Sequence, residues 1–170
     1  LDVDVTHYEG QVEGLLPPVV GAIAEMSRAH HVEWAGKSVV VVGSGRLVGA
    51  PAAQYAVARG ALVTVVTKDS NNLAATKEAD ILILGAGSPG LLTPEMVKAG
   101  VVVLDAGTSE EGGMLVGDAH PDVAARASLF TPVPGGASSI PRYQKSTDFP
   151  FVVFSRSDRV RYVLEIAGGQ

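Results

Sequence analysis

Four consecutive valines, residues 39–42, lead directly into a glycine-rich loop. Residues 38–42 have the continuous apolar character of a strand buried on both faces, and residues 48–58 predict a helix of small side chains. The loop between them has the spacing G-x-G-x-x-x-G. Glycine permits a tight turn and the close approach of a pyrophosphate, and the following helix offers free N–H groups and a positive dipole end. The pattern predicts a nucleotide site, with a merely structural turn as the alternative. The candidate residues are Gly43, Ser44, Gly45, Arg46, Val48 and Gly49.

Short apolar runs alternate with helix-like stretches as far as residue 131. Such alternation favours a parallel sheet with right-handed crossovers. We therefore predict an α/β fold with a Rossmann-type doubly wound parallel sheet. Thr93 and Pro94 have the character of a helix start, since threonine caps free N–H groups and proline fits the first helical position. The other expected elements are strands at residues 38–42, 61–67, 81–84, 101–104 and 129–131, and helices at residues 17–31, 48–58 and 73–79.

Two further glycine turns follow predicted strands, at residues 85–90 and 105–107. In open α/β sheets, ligands bind outside the carboxyl ends of the strands. Three glycine loops at one edge predict a shared ligand there, although glycine also serves ordinary turns between strands and helices. The candidates at these turns are Ala86, Gly87, Gly107 and Thr108.

The end of the second strand decides between the two dinucleotide cofactors. NAD-binding proteins usually place an acidic residue there, whereas NADP-binding proteins place a cation. The sequence has both, because Lys68 and Asp69 follow Thr67. Lys68 comes first and Arg46 lies in the phosphate loop, so NADP is favoured and NAD remains the alternative.

Composition excludes several other classes of function. The chain has 170 residues, enough for one domain, and a formal charge of −5 with no run of lysine or arginine, which disfavours nucleic-acid binding. Cysteine is absent, and no histidine spacing is typical of a metal site. His120, which follows Asp118 closely, is interpreted as a loop cap rather than a metal or acid–base residue. No apolar run approaches the roughly 20 residues of a membrane helix, so a cytoplasmic protein without membrane partners is expected.

Several short sequence motifs, taken together, are a more specific signature of a protein family than the glycine loops. Gly36 and Lys37 precede the valine strand, residues 103–107 read Val-Leu-Asp-Ala-Gly, Gly117 is followed by Asp118, and residues 131–136 read Thr-Pro-Val-Pro-Gly-Gly. Over residues 36–136 the chain resembles the NAD(P)-binding domain of the methylenetetrahydrofolate dehydrogenase/cyclohydrolase family. The resemblance implies hydride transfer between methylene-tetrahydrofolate and NAD(P), and a homodimer paired through the cofactor domains. It also implies that Asp4 is a possible folate contact, with an exposed N-terminal turn as the alternative.

Departures from the family pattern limit what the resemblance implies. The family's catalytic lysine, tyrosine and glutamine lie in an N-terminal folate domain that this sequence does not contain. No catalytic residue is therefore assigned, and cyclohydrolase activity is not expected of this chain alone. The arginine that usually follows the first glycine is Ser44, and Arg46 stands two places later. The alternatives are a nucleotide-binding or regulatory module without enzymatic activity, and a structural partner that binds no nucleotide.

The regions outside the resemblance complete the predicted organisation. Residues 1–35 form an N-terminal segment with a linking helix, on which Val20, Ile23, Ala24 and Ser27 lie near one face. Residues 36–136 form the NAD(P)-binding Rossmann domain, and residues 137–170 are unassigned. Residues 151–154 and 161–166 predict an extra C-terminal β-hairpin.

Overall fold

The computed structural model describes residues 18–67, 72–131 and 154–155, with backbone alone for Pro18 and for residues 154–155. Asp4, Lys68 and Asp69 therefore lie outside the described residues. So does the predicted C-terminal hairpin, apart from Phe154 and Ser155.

A six-stranded sheet forms the centre of the molecule, with the order β2-β1-β3-β4-β7-β8. The first five strands in this order are parallel, and β8 pairs antiparallel with β7. A separate antiparallel hairpin, β5–β6, follows β4. The strands are β1 (Ser38–Val42), β2 (Leu62–Val66), β3 (Ile81–Leu84), β4 (Val102–Asp105), β5 (Ser109–Glu111), β6 (Met114–Val116), β7 (Leu129–Thr131) and β8 (Phe154–Ser155).

Helix α1 (Pro18–Ala29) precedes β1. In the described part of the chain, the parallel strands are connected by helix α2 (Gly49–Ala58) and by short 3₁₀ turns at Leu73–Glu78, Pro94–Met96 and Pro121–Ala125. Neither α-helix of the described part is long and apolar enough to cross a lipid bilayer.

The central strands β1, β3 and β4 are buried on both faces because, apart from Ser38 and Asp105 at strand ends, their side chains are apolar. Val39 and Val41 pack with α1 and α2 on one face, whereas Val40 and Val42 pack on the other face with the region of the 3₁₀ turns. All four valines are at most 2% exposed. The doubly wound α/β fold predicted from the sequence is thus confirmed.

The predicted N-terminal helix, α1, buries the face expected from the sequence. Val20, Ile23 and Ser27 of α1 are buried, and Ala24 is partly buried beside them. This face covers the sheet next to α2, where Trp34 stands edge-on to Tyr55 with ring centroids 5.4 Å apart.

The structure differs from the sequence-based predictions at two places. Only one 3₁₀ turn, Pro94–Met96, follows Thr93, and the Thr93 side chain makes no capping hydrogen bond. Val97 is buried and β4 begins at Val102, so the segment turns into the sheet before a longer helix can form. The β5–β6 hairpin was not predicted, because its strands have three residues each and little apolar alternation.

Candidate cofactor site

The glycine loops after β1 and β3 meet in direct backbone contact. The chain passes from β1 to β2 on one side and returns to β3 on the other, so these two loops flank the switch point of the sheet. Gly43 has a φ of 108°, and a Cβ there would overlap the carbonyl oxygen of Gly85. The backbone of Gly85 donates to the carbonyl of Val42 at 2.8 Å. Only glycine fits at position 43, because both the φ and the neighbouring backbone exclude a side chain.

Gly49 and Gly85 allow the first turn of α2 to pack against the loops. A Cβ on Gly49 would overlap the carbonyl group of Gly43, and a Cβ on Gly85 would lie 2.5 Å from Cγ1 of Val48. The outer two glycines of G-x-G-x-x-x-G are therefore required by packing within the chain.

Gly45 differs from these glycines, since nothing lies within 4 Å of the position a Cβ would take. The residue is exposed, as are Ser44 and Arg46 on either side of it. Helix α2 begins beside this open loop with neither a side-chain cap nor an acidic residue in its first turn. An uncapped helix start without acidic neighbours favours an anion, and the open glycine lets that anion approach the backbone closely.

The loop after β3 is held by the carboxylate of Asp118, which is fully buried. The backbone N–H groups of Ala86 and Gly87 donate to Oδ2 at 2.6 and 3.1 Å, and that of Ser88 donates to Oδ1 at 2.7 Å. Gly107 makes room for this carboxylate, because a Cβ at Gly107 would overlap it.

A second buried carboxylate, Asp105 at the end of β4, holds the segment that carries Asp118. Its Oδ2 accepts from the N–H of Ala119 at 2.8 Å, and its Oδ1 accepts from the N–H groups of Gly107 at 3.0 Å and Asp118 at 3.3 Å. The N–H of Asp105 donates to Oγ1 of Thr131 on β7 at 2.8 Å. Hydrogen bonds thus connect β7, β4 and the loop after β3.

Burial raises the pKa of Asp105 to about 7. The N–H donors of Ala119 and Gly107 oppose this increase, and the charge of Asp118 adds to it. Two carboxylates held close together in a buried place disfavour double ionisation.

The structure brings together most of the residues predicted for the site. Those at the carboxyl edge of the sheet are Gly43, Ser44, Gly45, Arg46, Val48, Gly49, Ala86, Gly87, Gly107 and Thr108. Thr67 is exposed directly after β2 at the same edge. The N–H groups of Ala86 and Gly87 bond to Asp118, so the carbonyl groups and Cα atoms of these two residues are left to contact a ligand.

Sequence reasoning missed the contribution of Asp105, Asp118 and Thr131. The only signal was an aspartate ending one predicted strand and another following a glycine, and that signal does not say which backbone groups they bind. His120 does not share a site with Asp118. Its Nδ1 accepts from the N–H of Asp122 at 3.3 Å, which confirms the predicted loop cap. Among the described residues no cluster of three acidic or histidine side chains could hold a metal ion.

A cavity of about 370 Å³ lies at the opposite edge of the sheet, near the amino ends of the strands. Its lining includes His30, Lys37, Asp80 and Ser128. In doubly wound sheets the ligand site lies at the carboxyl ends, so we assign the site to the glycine loops.

Comparison with known proteins identifies the family of the chain. The family model "Tetrahydrofolate dehydrogenase/cyclohydrolase, NAD(P)-binding domain" matches residues 17–142. The chain is 39% identical over 135 residues to bifunctional protein FolD 2 of Lactobacillus johnsonii, covering 78% of this chain and 48% of that protein.

Two solved structures share the fold. The bifunctional FolD enzyme of Campylobacter jejuni has a TM-score of 0.70 at 35% identity, covering 78% of this chain and 49% of that one. The Trypanosoma brucei enzyme, complexed with NADP and an inhibitor, has a TM-score of 0.71 at 37% identity, covering 79% of this chain and 50% of that one. The chain thus spans about half the length of these relatives. It belongs to the tetrahydrofolate dehydrogenase/cyclohydrolase family and matches that family's NAD(P)-binding domain.

Proposed function

We propose that this chain is the cofactor-binding half of an NAD(P)-dependent methylenetetrahydrofolate dehydrogenase. The observation that carries the proposal is the first glycine loop, which is open at Gly45 and lies before the uncapped start of α2 at the switch point of the sheet. A nicotinamide cofactor bound there would supply the chemistry of hydride transfer with methylene-tetrahydrofolate. The chain's own residues bind and orient that cofactor.

The pyrophosphate lies over the first loop in this proposal. Gly45 leaves space for it, and the start of α2 contributes a positive dipole end. Gly43 and Gly49 permit the close backbone packing that shapes the loop. The remaining proposed contacts with the cofactor are Ser44, Arg46, Val48, Thr67, Lys68, Ala86, Gly87, Gly107 and Thr108.

NADP is the proposed cofactor and NAD the alternative. Arg46 is an exposed cation in the phosphate loop, and a guanidinium suits a phosphate monoester because it donates two parallel hydrogen bonds. The relative from Trypanosoma brucei, whose structure contains NADP, supports this choice.

The folate half is not contained in the matched region. We propose residues 36–136 as the cofactor domain, residues 1–35 as the segment that links it to a folate-binding unit, and residues 137–170 as a segment without an assigned role. Asp4 is the proposed folate contact in the linking segment. Cyclohydrolase activity is not expected of this chain alone, and no catalytic residue is assigned to it.

Calorimetric titration of the chain tests the cofactor site. NADP is expected to bind saturably and more tightly than NAD, and Gly45→Val is expected to abolish the binding because its branched side chain fills the open space over the loop. Gly21→Val is the matched control, since Gly21 in α1 also has nothing within 4 Å of its Cβ position.

The outcomes separate the candidate functions. Binding without dehydrogenase activity, after a folate-binding half is added, would favour a nucleotide-binding or regulatory module. Absence of binding by either nucleotide at millimolar concentration, or unchanged affinity in Gly45→Val, would overturn the cofactor assignment.

A homodimer is the proposed assembly, with a second copy pairing along strand β2. This strand is the edge of the sheet within the described residues. Leu62 and Val65 on it are 68% and 46% exposed, and Val57 of α2 is 51% exposed. An exposed apolar edge strand favours pairing with another strand, and two identical copies can pair around a twofold axis.

Val65→Lys is expected to convert the dimer to a monomer, since a charge on the edge strand opposes pairing. Sedimentation equilibrium at micromolar concentration measures the mass. Met114→Lys is the control, because Met114 is 58% exposed on the β5–β6 hairpin rather than on β2. A monomeric wild-type chain, or equal masses for the two variants, would contradict the proposed interface.

The proposed location is the cytoplasm, with a small-molecule cofactor and a folate as ligands and without nucleic-acid or membrane partners. The net charge of −5 and the absence of a basic run support the absence of nucleic-acid partners.

A further inference from the structure

Three consecutive backbone N–H groups in the loop after β3 converge on one carboxylate. Ala86, Gly87 and Ser88 donate to Asp118 over distances of 2.6 to 3.1 Å. Successive N–H groups that point into one concavity form a nest, an arrangement that commonly binds phosphate or another anion. Here the anion belongs to the chain itself.

Asp118 is held firmly from its own side of the contact. Its backbone N–H donates to Asp105, and its carbonyl accepts from the N–H of Leu92 at 2.9 Å. The absence of a side chain at Gly107 leaves the space that the carboxylate fills. A buried carboxylate with three N–H donors is well compensated for its loss of water, so the contact is a strong one.

The loop that Asp118 holds is also the one that touches the phosphate loop. Gly85 lies against Gly43, and Val48 lies against Gly85. A shift of residues 86–88 would therefore move the backbone beside the proposed pyrophosphate position.

We propose that Asp118 is a positioning residue of the cofactor site. It occupies the nest of the loop after β3, which fixes that loop beside Gly43 and leaves the first loop as the place where the pyrophosphate binds. This inference rests on the proposed cofactor function, but the state of the nest can be measured without the cofactor.

Amide hydrogen exchange in the wild-type chain is the first measurement. The N–H groups of Ala86, Gly87 and Ser88 are expected to exchange slowly, and to stay slow after NADP is added, because they remain bonded to Asp118. Fast exchange in the free chain, or faster exchange at these three amides on NADP binding, would overturn the proposal.

Asp118→Asn and Asp118→Ala test the effect on affinity. In Asp118→Asn, the side-chain NH₂ group faces backbone N–H groups, which are also donors. In Asp118→Ala, no side-chain oxygen remains to accept from the three N–H groups. Each variant is expected to exchange faster at residues 86–88 and to bind NADP at least about tenfold more weakly, a change that corresponds to about 1.4 kcal/mol. The exposed Asp122, changed to asparagine, is the matched control and is expected to keep wild-type affinity.

Chemical rescue distinguishes positioning from a general loss of structure. Sodium formate supplies a carboxylate small enough for the emptied nest, so it is expected to restore slow exchange and NADP affinity to Asp118→Ala, whereas sodium chloride at equal ionic strength is not. Trp34 is the single tryptophan, and it lies in the core on the face of the sheet that α1 and α2 cover, whereas Ala119, next to Asp118, packs in the core on the opposite face. Its fluorescence is therefore expected to stay unchanged.

The outcomes are distinguishable from failure of the proposed function. If the wild-type chain does not bind NADP, the cofactor assignment fails, and exchange at residues 86–88 still decides whether Asp118 orders the loop. If NADP binds equally to wild type and a folded Asp118→Asn, the positioning role is wrong although the cofactor function stands. If neither variant folds, the wild-type exchange measurement with and without NADP decides the proposal.

Discussion

Gly49→Ala is expected to lower the free energy of unfolding by about 3 kcal/mol, the upper part of the usual range for overpacking. The new Cβ would overlap the carbonyl group of Gly43 and lie 3.0 Å from the backbone nitrogen of Ser44. Backbone atoms cannot rotate away as a side chain can, so either α2 or the phosphate loop must move. Alanine is favoured over glycine in a helix by about 1 kcal/mol, which offsets only part of this cost.

Gly45→Ala is the matched control for this prediction. Its Cβ meets nothing within 4 Å and its φ lies outside the left-handed region, so stability should change by no more than about 0.5 kcal/mol. Urea unfolding followed by the fluorescence of Trp34 measures both variants. Equal stabilities for the two would show that Gly49 is not packed against the loop.

The free energy of unfolding is expected to fall by about 2 to 3 kcal/mol between pH 5 and pH 8 through the titration of Asp105. The pKa of this carboxyl is about 7 in the folded chain, against 3.8 for an unperturbed aspartate. Between these two values the folded chain retains a proton that the unfolded chain has lost. The stabilising effect of that proton is therefore lost as the pH rises through 7.

Burial is the main cause of the raised pKa of Asp105. Asp118 is the charged neighbour in its network, and the surrounding N–H groups of Gly107 and Ala119 moderate the effect without titrating. The hydroxyl of Thr131 on β7 bonds to the backbone of Asp105 rather than to its carboxylate.

Asp105→Asn isolates this titration from the others. Burial lowers the pKa of His30, which makes the chain more stable as pH rises and thus opposes the effect of Asp105. The difference between wild type and Asp105→Asn removes that background, since His30 is common to both. Urea unfolding at pH 5 and pH 8 gives the comparison, and the same pH dependence in both proteins would refute the assignment.

The central sheet strands were predictable because they are buried on both faces and therefore apolar. The observed bounds of β1, β3 and β7 are the predicted ones. β2 and β4 differ from the prediction by a residue at one or both ends, where hydrogen bonding rather than composition ends a strand. The longer helix expected after Thr93 does not form. Capping propensity is a local signal, and the burial of Val97 outweighs it.

In the candidate site, too, some features could be predicted from the sequence and others could not. The sequence by itself determined where the chain must turn tightly, because glycine at a strand end is a local feature and the positive φ of Gly43 requires it. Only the tertiary structure decided that Gly43 and Gly49 are packed while Gly45 is open, and that Asp118 binds a loop about 30 residues earlier. Those contacts depend on the order of strands in the sheet, which brings distant residues together. The spacing of residues along the chain specifies local backbone geometry and burial, but it does not specify which distant groups meet.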